Sequence, residues 1–202
     1  MYIPPYYKET DEQKLIEFMQ AHSFASLIST NNANIRATHL PFLIEKREEK
    51  MYLVTHMAKA NPQWEELIKN ETLVIFQGPH AYISPTHYEK KQNVPTWNYI
   101  AVHAYGKATL LKSQEQATEV LEKMINTYEA EYFEQWKQLP ETYKSGMIKA
   151  IVAFEIEVTH LEGKFKLSQN KTKNEQQHIA NAFENSNDTL EKNLSKEMKN
   201  NL

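Results

Sequence analysis

The run IVAFEIEVTHLEGKFKL, residues 151–167, limits the fold more than any other part of the chain. Val152, Phe154, Ile156 and Val158 alternate with Glu155, Glu157 and Thr159. A period of two puts one set on each face of an extended segment, so this reads as a long strand with one apolar face. TWNYIAVHAYGKATLL, residues 96–111, is a second long strand, dense in aromatic and β-branched residues. Shorter extended runs come earlier: FASLIST, NIRATHLPFLIE, KMYLVTHM and TLVIFQGPHAYIS. Asn31 and Asn32 suit a hairpin turn between the first two. Gly78-Pro79 is a candidate break in the last.

Helical patterns are inserted between these runs. Thr10 and Gln13 stand at capping-box spacing ahead of Leu15, Phe18, Met19 and His22. Asn61 and Pro62 read as N-cap and first position of a short helix faced by Trp64, Leu67 and Ile68. Ser113 and Gln116 open a clear helix, in which Ala117, Val120, Leu121, Met124, Ile125 and Tyr128 share one face. AEYFEQWKQLP and ETYKSGMIKA are shorter helical pieces. Six or more strands without strict βα alternation argue for a mostly antiparallel, α+β or mainly β fold. Short turns followed by one long excursion suggest a closed barrel with peripheral helices. From Asn174 the chain turns polar and asparagine-rich. The expected organisation is a domain over 1–173 and a helical or partly disordered tail over 174–202, with Thr172 and Glu175 able to cap a helix carrying Ile179 and Phe183.

Composition removes several function classes. The glycines, Gly78, Gly106, Gly146 and Gly163, are isolated, so no glycine-rich phosphate loop exists. There is no cysteine, which excludes disulfides and thiolate chemistry and fits a cytoplasmic protein. MYIPPYYKET lacks the pattern of a signal peptide, and no apolar run approaches the ~18 residues of a membrane span. A net charge of −3 gives no broad footprint for nucleic acid.

The chemistry-bearing stretches admit more than one reading. Lys59 lies two residues before the Asn61 cap. A cation at a helix start can hold an anion without glycine, and it can equally be a solvated loop charge. Arg36, Thr38 and His39 lie on a strand expected beside Thr55 and His56. The eight histidines show no metal-ligand spacing, although His39, His56 and His103 could converge in space. Tyr82, Tyr88, Trp97 and Tyr99 could wall a flat ligand or sit in core or interface. Lys164, Lys166, Ser168, Gln169 and Lys171 form a compact set of donors at the end of the last strand, or a solvated strand end. His80 and His87 are the acid–base candidates.

Taken together, MYIPPYY, ATHLPF, HMAKANPQW, IFQGPHAYISP, VPTWNYIAVHAYG and GKFKLSQN resemble, in order, the PaiB-type FMN-binding negative transcriptional regulators over residues 1 to about 173. The resemblance implies a flavin-binding split β-barrel related to pyridoxamine-phosphate oxidases. It also implies a homodimer with FMN at the subunit interface. The positions it marks for the phosphate are His56, Met57, Ala58, Lys59 and Asn61, with Thr38 and His39 alongside. Trp97 and Asn98 fall near the ring, and Lys166, Ser168 and Gln169 reach the partner's flavin. NKTK departs from the family's usual Asn-Arg-Ser, which detaches Lys171 and Thr172 from that role. The function implied is repression of extracellular protease synthesis and sporulation, with direct DNA contact unsupported by the charge pattern. The alternatives are a flavin-dependent oxidoreductase and a flavin-free dimeric interaction module.

Overall fold

The computed structural model describes residues 1–31 and 34–202, so Asn32 of the expected turn lies outside the described residues. Eight strands form: β1 (Lys8–Glu9), β2 (Phe24–Asn31), β3 (Asn34–Pro41), β4 (Leu43–Arg47), β5 (Lys50–Ala58), β6 (Glu71–Ile83), β7 (Thr96–Leu111) and β8 (Ile151–Lys166). The helices are α1 (Glu12–Ala21), α2 (Trp64–Leu67), α3 (Gln114–Tyr128), α4 (Tyr132–Gln138), α5 (Glu141–Lys149), α6 (Lys173–Glu184) and α7 (Thr189–Asn200). The sheet order is β3-β2-β6-β7-β8-β5-β4, with β1 on β8. The registered pairs are antiparallel: Phe24↔Pro41 to Asn31↔Asn34, Leu43↔Val54 to Arg47↔Lys50, and Tyr52↔Glu157 to Ala58↔Ile151. This is the antiparallel α+β fold that the strand alternation predicts.

The chain divides into two compact units. Unit 1 is Met1–Phe18, Gln77–His103 and Glu162–Leu202; unit 2 is Met19–Phe76 and Ala104–Leu161. In unit 1, Ile83, Ile100, Val102, Phe165 and Leu167 are buried with Ile179, Ala180 and Leu194 of α6 and α7. In unit 2, Leu27, Leu53, Phe76, Phe154 and Ile156 are sealed from solvent, and Ala117, Val120 and Met124 of α3 pack with Leu43, Val54, Ile148 and Ala153. The apolar stripe of α3 thus covers β4, β5 and β8.

Four local expectations change. NIRATHLPFLIE is two strands, because Pro41 ends β3 and Phe42 is buried with its N–H given to the Ser23 carbonyl. β6 runs unbroken through Gly78-Pro79. Pro79 lies past Leu73–Ile75, the segment β2 pairs, where a missing N–H is tolerated. The cap of α1 is Asp11, whose Oδ1 accepts from the N–H groups of Gln13 and Lys14, and Thr10 is not used. The short helix after Pro62, α2, starts at Trp64 with Gln63 at the N-cap position, not at Pro62 behind Asn61. Residues 174–202 carry two capped helices, and Ser195 Oγ of α7 donates to the Ala180 carbonyl of α6 at 2.6 Å.

Candidate functional site

In unit 2 the end of β5 turns sharply. The Lys59 N–H donates to Ala150 O at 2.8 Å, and the Asn61 N–H donates to Ala58 O at 2.9 Å. Asn61 Oδ1 then accepts from the Gln63 N–H at 3.0 Å, while its Nδ2 donates to Thr38 Oγ1 at 3.0 Å. Thr38 Oγ1 donates in turn to Gln63 Oε1 at 2.5 Å. Gln63, only 1% exposed, also reaches Leu27 O, Ser29 Oγ and Arg36 O through Nε2. Glu66, 4% exposed, pairs with Arg36 and accepts from Ser29 and Asn31. This buried network ties the turn to the β2–β3 hairpin and so sets where Lys59 leaves the sheet.

The helix start itself does not form the expected anion trap. Pro62 has no N–H, and Asn61 takes the N–H of Gln63. Those of Glu65, Glu66 and Leu67 are bonded to Pro62 O or Gln63 O. One turn also carries little macrodipole.

Lys59 is completed instead by residues distant in sequence. It lines a cavity of about 490 Å³ with Lys112, Lys149, Trp64 and the first residues of α3, Ser113 and Gln114. Among the described residues none of these three lysines is held in an ion pair, and no carboxylate lines the cavity. Three free cations and the positive end of a fifteen-residue helix face one space. Its volume falls within the ~300–1,000 Å³ of small-molecule sites. The donor set fits a phosphoryl group. Lys112 and Lys149 escape a reading by motif. Lys112 does precede a cap, Ser113, as Lys59 precedes Asn61, and that shared pattern is the one sequence signal for it.

The other marked residues of unit 2 divide between the faces of their strands. His39 is exposed and stacks on Phe24 at 6.3 Å. Met57 is core, whereas His56 and Ala58 point to the opposite face of β5. His56 Nδ1 is shut off from solvent without a hydrogen-bond partner, and burial lowers the pKa of its ring.

In unit 1, Trp97 is 53% exposed and meets His80 and Tyr82 at 6.3 and 6.0 Å, forming an open aromatic patch. Asn98, in contrast, is fully buried, its amide within 2.9 and 3.2 Å of Ser168 Oγ. Gln169 is turned inward, donating to Phe165 O and accepting from the Leu167 N–H. Lys166 Nζ donates to Thr96 Oγ1 and to Trp97 O. Burial, then Lys164, lowers its pKa. His80 faces its own Gly78 carbonyl and His87 packs on Phe183, so neither stands opposite an acid–base partner. Among the described residues no group of three His, Asp or Glu forms a metal-holding cluster.

Residues 1–160 match the family model described as "Putative FMN-binding domain". The chain belongs to this family. Its cofactor class is therefore FMN, as the resemblance implied. The chain is 38% identical, over all of its length and 98% of the relative's, to "Protease synthase and sporulation protein PAI 2" of Bacillus subtilis. It is 32% identical to an uncharacterized protein of Emericella nidulans, covering 75% of this chain and 76% of that one. Among solved structures, the flavocytochrome Anf3 of Azotobacter vinelandii superposes with a TM-score of 0.63 at 15% identity, over 81% of this chain and 72% of that one. The FAD and heme binding protein of Mycobacterium smegmatis gives 0.60 at 13% identity, over 79% and 73%. These likenesses show the fold alone, the split barrel that the resemblance implied. Among the described residues no helix is long and apolar enough to cross a membrane.

Proposed function

We propose that this protein binds FMN with the phosphoryl end in the Lys59–Lys112–Lys149 cavity and acts as a negative regulator of the PaiB type. The observation that carries the reading is the meeting of three lysines, without an ion pair among the described residues, around a cavity lined by no carboxylate. When bound, FMN supplies redox or sensing chemistry; the chain's own part is to hold and orient it. Thr38, Asn61 and Gln63 keep the Lys59 turn in place. His56, Met57 and Ala58 form the strand end that leads into it; His39 lies on β3, which pairs β2 and not β5, and it does not line the cavity. Trp97, in unit 1, is an exposed aromatic face suited to stacking on a flat ligand or to contact with a second subunit. A homodimer with flavin at the interface agrees with that exposure. The buried Asn98 and Gln169 support positions beside the ring less well, since their polar atoms are already engaged.

The regulatory part rests on the full-length likeness to the Bacillus subtilis sporulation protein. A net charge of −3 favours an indirect effect on transcription, through a partner or the flavin's redox state.

Titration of the purified protein with FMN, followed by absorbance, tests the binding claim. Lys59→Ala should weaken binding by about 1–3 kcal/mol, the loss of one charge-assisted contact. Adding Lys112→Ala and Lys149→Ala should weaken it further. An unchanged dissociation constant in the triple variant refutes the phosphate assignment. Salt-sensitive, sequence-selective binding to a promoter fragment would replace the indirect route with direct repression.

A further inference from the structure

We infer that unit 1 carries a second, smaller site that binds an oxyanion, a carboxylate or a phosphate, between Tyr88, Lys166 and Lys171. A cavity of about 170 Å³ is lined there by Tyr7, Tyr88, Thr96, Lys166, Ser168 and Lys171. It exceeds what a single water needs and falls below the ~300 Å³ of larger-ligand sites. The inference does not rest on FMN binding in the larger basic cavity.

The decisive residue is Tyr88. Only 8% of it is exposed, and its hydroxyl has no hydrogen-bond partner. A buried hydroxyl left unsatisfied is costly, so such a group in a cavity wall points to a missing acceptor. The charges around it specify an anionic one. Lys171 Nζ lies 3.9 Å from the Tyr88 ring centroid and donates to Asn93 Oδ1, a neutral acceptor. Lys166 donates to a hydroxyl and a carbonyl and lies over the Tyr7 ring, 6.0 Å from its centroid. Among the described residues neither lysine has a carboxylate in ion-pair contact.

Glu175 is the acid whose field reaches both Tyr88 and Lys171. Its oxygens already accept from the N–H groups of Glu89 and Thr172, each at 3.1 Å, so it does not serve the phenol. Burial first, then Glu175 and Tyr7, raises the Tyr88 pKa. The phenol therefore stays protonated at neutral pH, ready to donate.

The test is thermal melting of the full chain in chloride, inorganic phosphate and acetate at matched ionic strength. A saturable rise in Tm with one oxyanion is expected, and the anion that saturates at lower concentration identifies the source. The rise should persist in the triple variant Lys59→Ala, Lys112→Ala, Lys149→Ala, which separates this site from the larger basic cavity. Tyr88→Phe should weaken the apparent affinity about tenfold or more, the loss of one hydrogen bond to a charged group. It should not lower the Tm of the ligand-free protein, because the hydroxyl it removes is unsatisfied. Lys171→Met should also abolish the rise. Three results overturn the site: no saturable effect from either anion, loss of the effect in the triple lysine variant with its retention in Tyr88→Phe, or a lowered ligand-free Tm in Tyr88→Phe.

Discussion

Gly106 sits where β7 and β8 run so close that an added Cβ would lie 2.3 Å from Glu157 O and 2.7 Å from Ile156 Cγ2. The neighbour is backbone and cannot swing aside. Gly106→Ala should therefore cost about 1–3 kcal/mol in urea unfolding. The sequence shows only an isolated glycine in a strand, which marks a close approach without saying to what. His56 is similar: its type suggests a ligand, and its place makes it a half-buried ring with Nδ1 shut off from solvent. Its folded pKa is lowered by burial, as are those of His22 and His103. Below their unfolded value near 6.5 the unfolded chain binds more protons than the folded one. Stability should thus be full above that pH and fall as pH drops through 6.5 toward the folded values. Unfolding at pH 7.5 and 5.5 checks the sign, and His56→Leu should flatten the slope. Equal stability at both pH values in the parent protein would contradict the argument.

The elements follow local chemistry where a cap and an apolar stripe agree. Both the Ser113–Gln116 and Thr172–Glu175 boxes form with both hydrogen bonds present. At α1 the sequence pointed to Thr10, by its spacing to Gln13. Asp11 takes the role because its carboxylate reaches two free N–H groups. Asp11→Ala should cost about 1 kcal/mol, and Thr10→Ala should stay within about 0.5, both by chemical denaturation. The Asn61-Pro62 signal was sound for a turn and a short helix, and placed the helix start two residues early. Asn61 does cap Gln63, but Lys69, Asn70 and Glu71 lead directly into β6, and α2 ends after one turn.

For the whole molecule, a boundary near residue 173 remains a proposal. α6 and α7 bury Ile179, Phe183, Leu194 and Met198, and Met198 Sδ lies 3.7 Å from Asn98 Nδ2. A chain ending at 173 should still unfold cooperatively, at a lower Tm than the full protein by calorimetry, because this apolar surface becomes exposed. A broad, non-cooperative melt would move the boundary. Strand and helix identity, the antiparallel class and two of the caps could be read from residues 8–184, because periodicity and capping act over a few neighbours. Family motifs also marked Lys59. The company of Lys59 was decided only in three dimensions: Lys112 and Lys149 come from segments with no motif, brought together by the register of β5 on β8 and the packing of α3. Whether Tyr88, Asn98 and Trp97 are buried or open was settled there too. Burial depends on what the rest of the chain lays over a residue, and no local pattern encodes that.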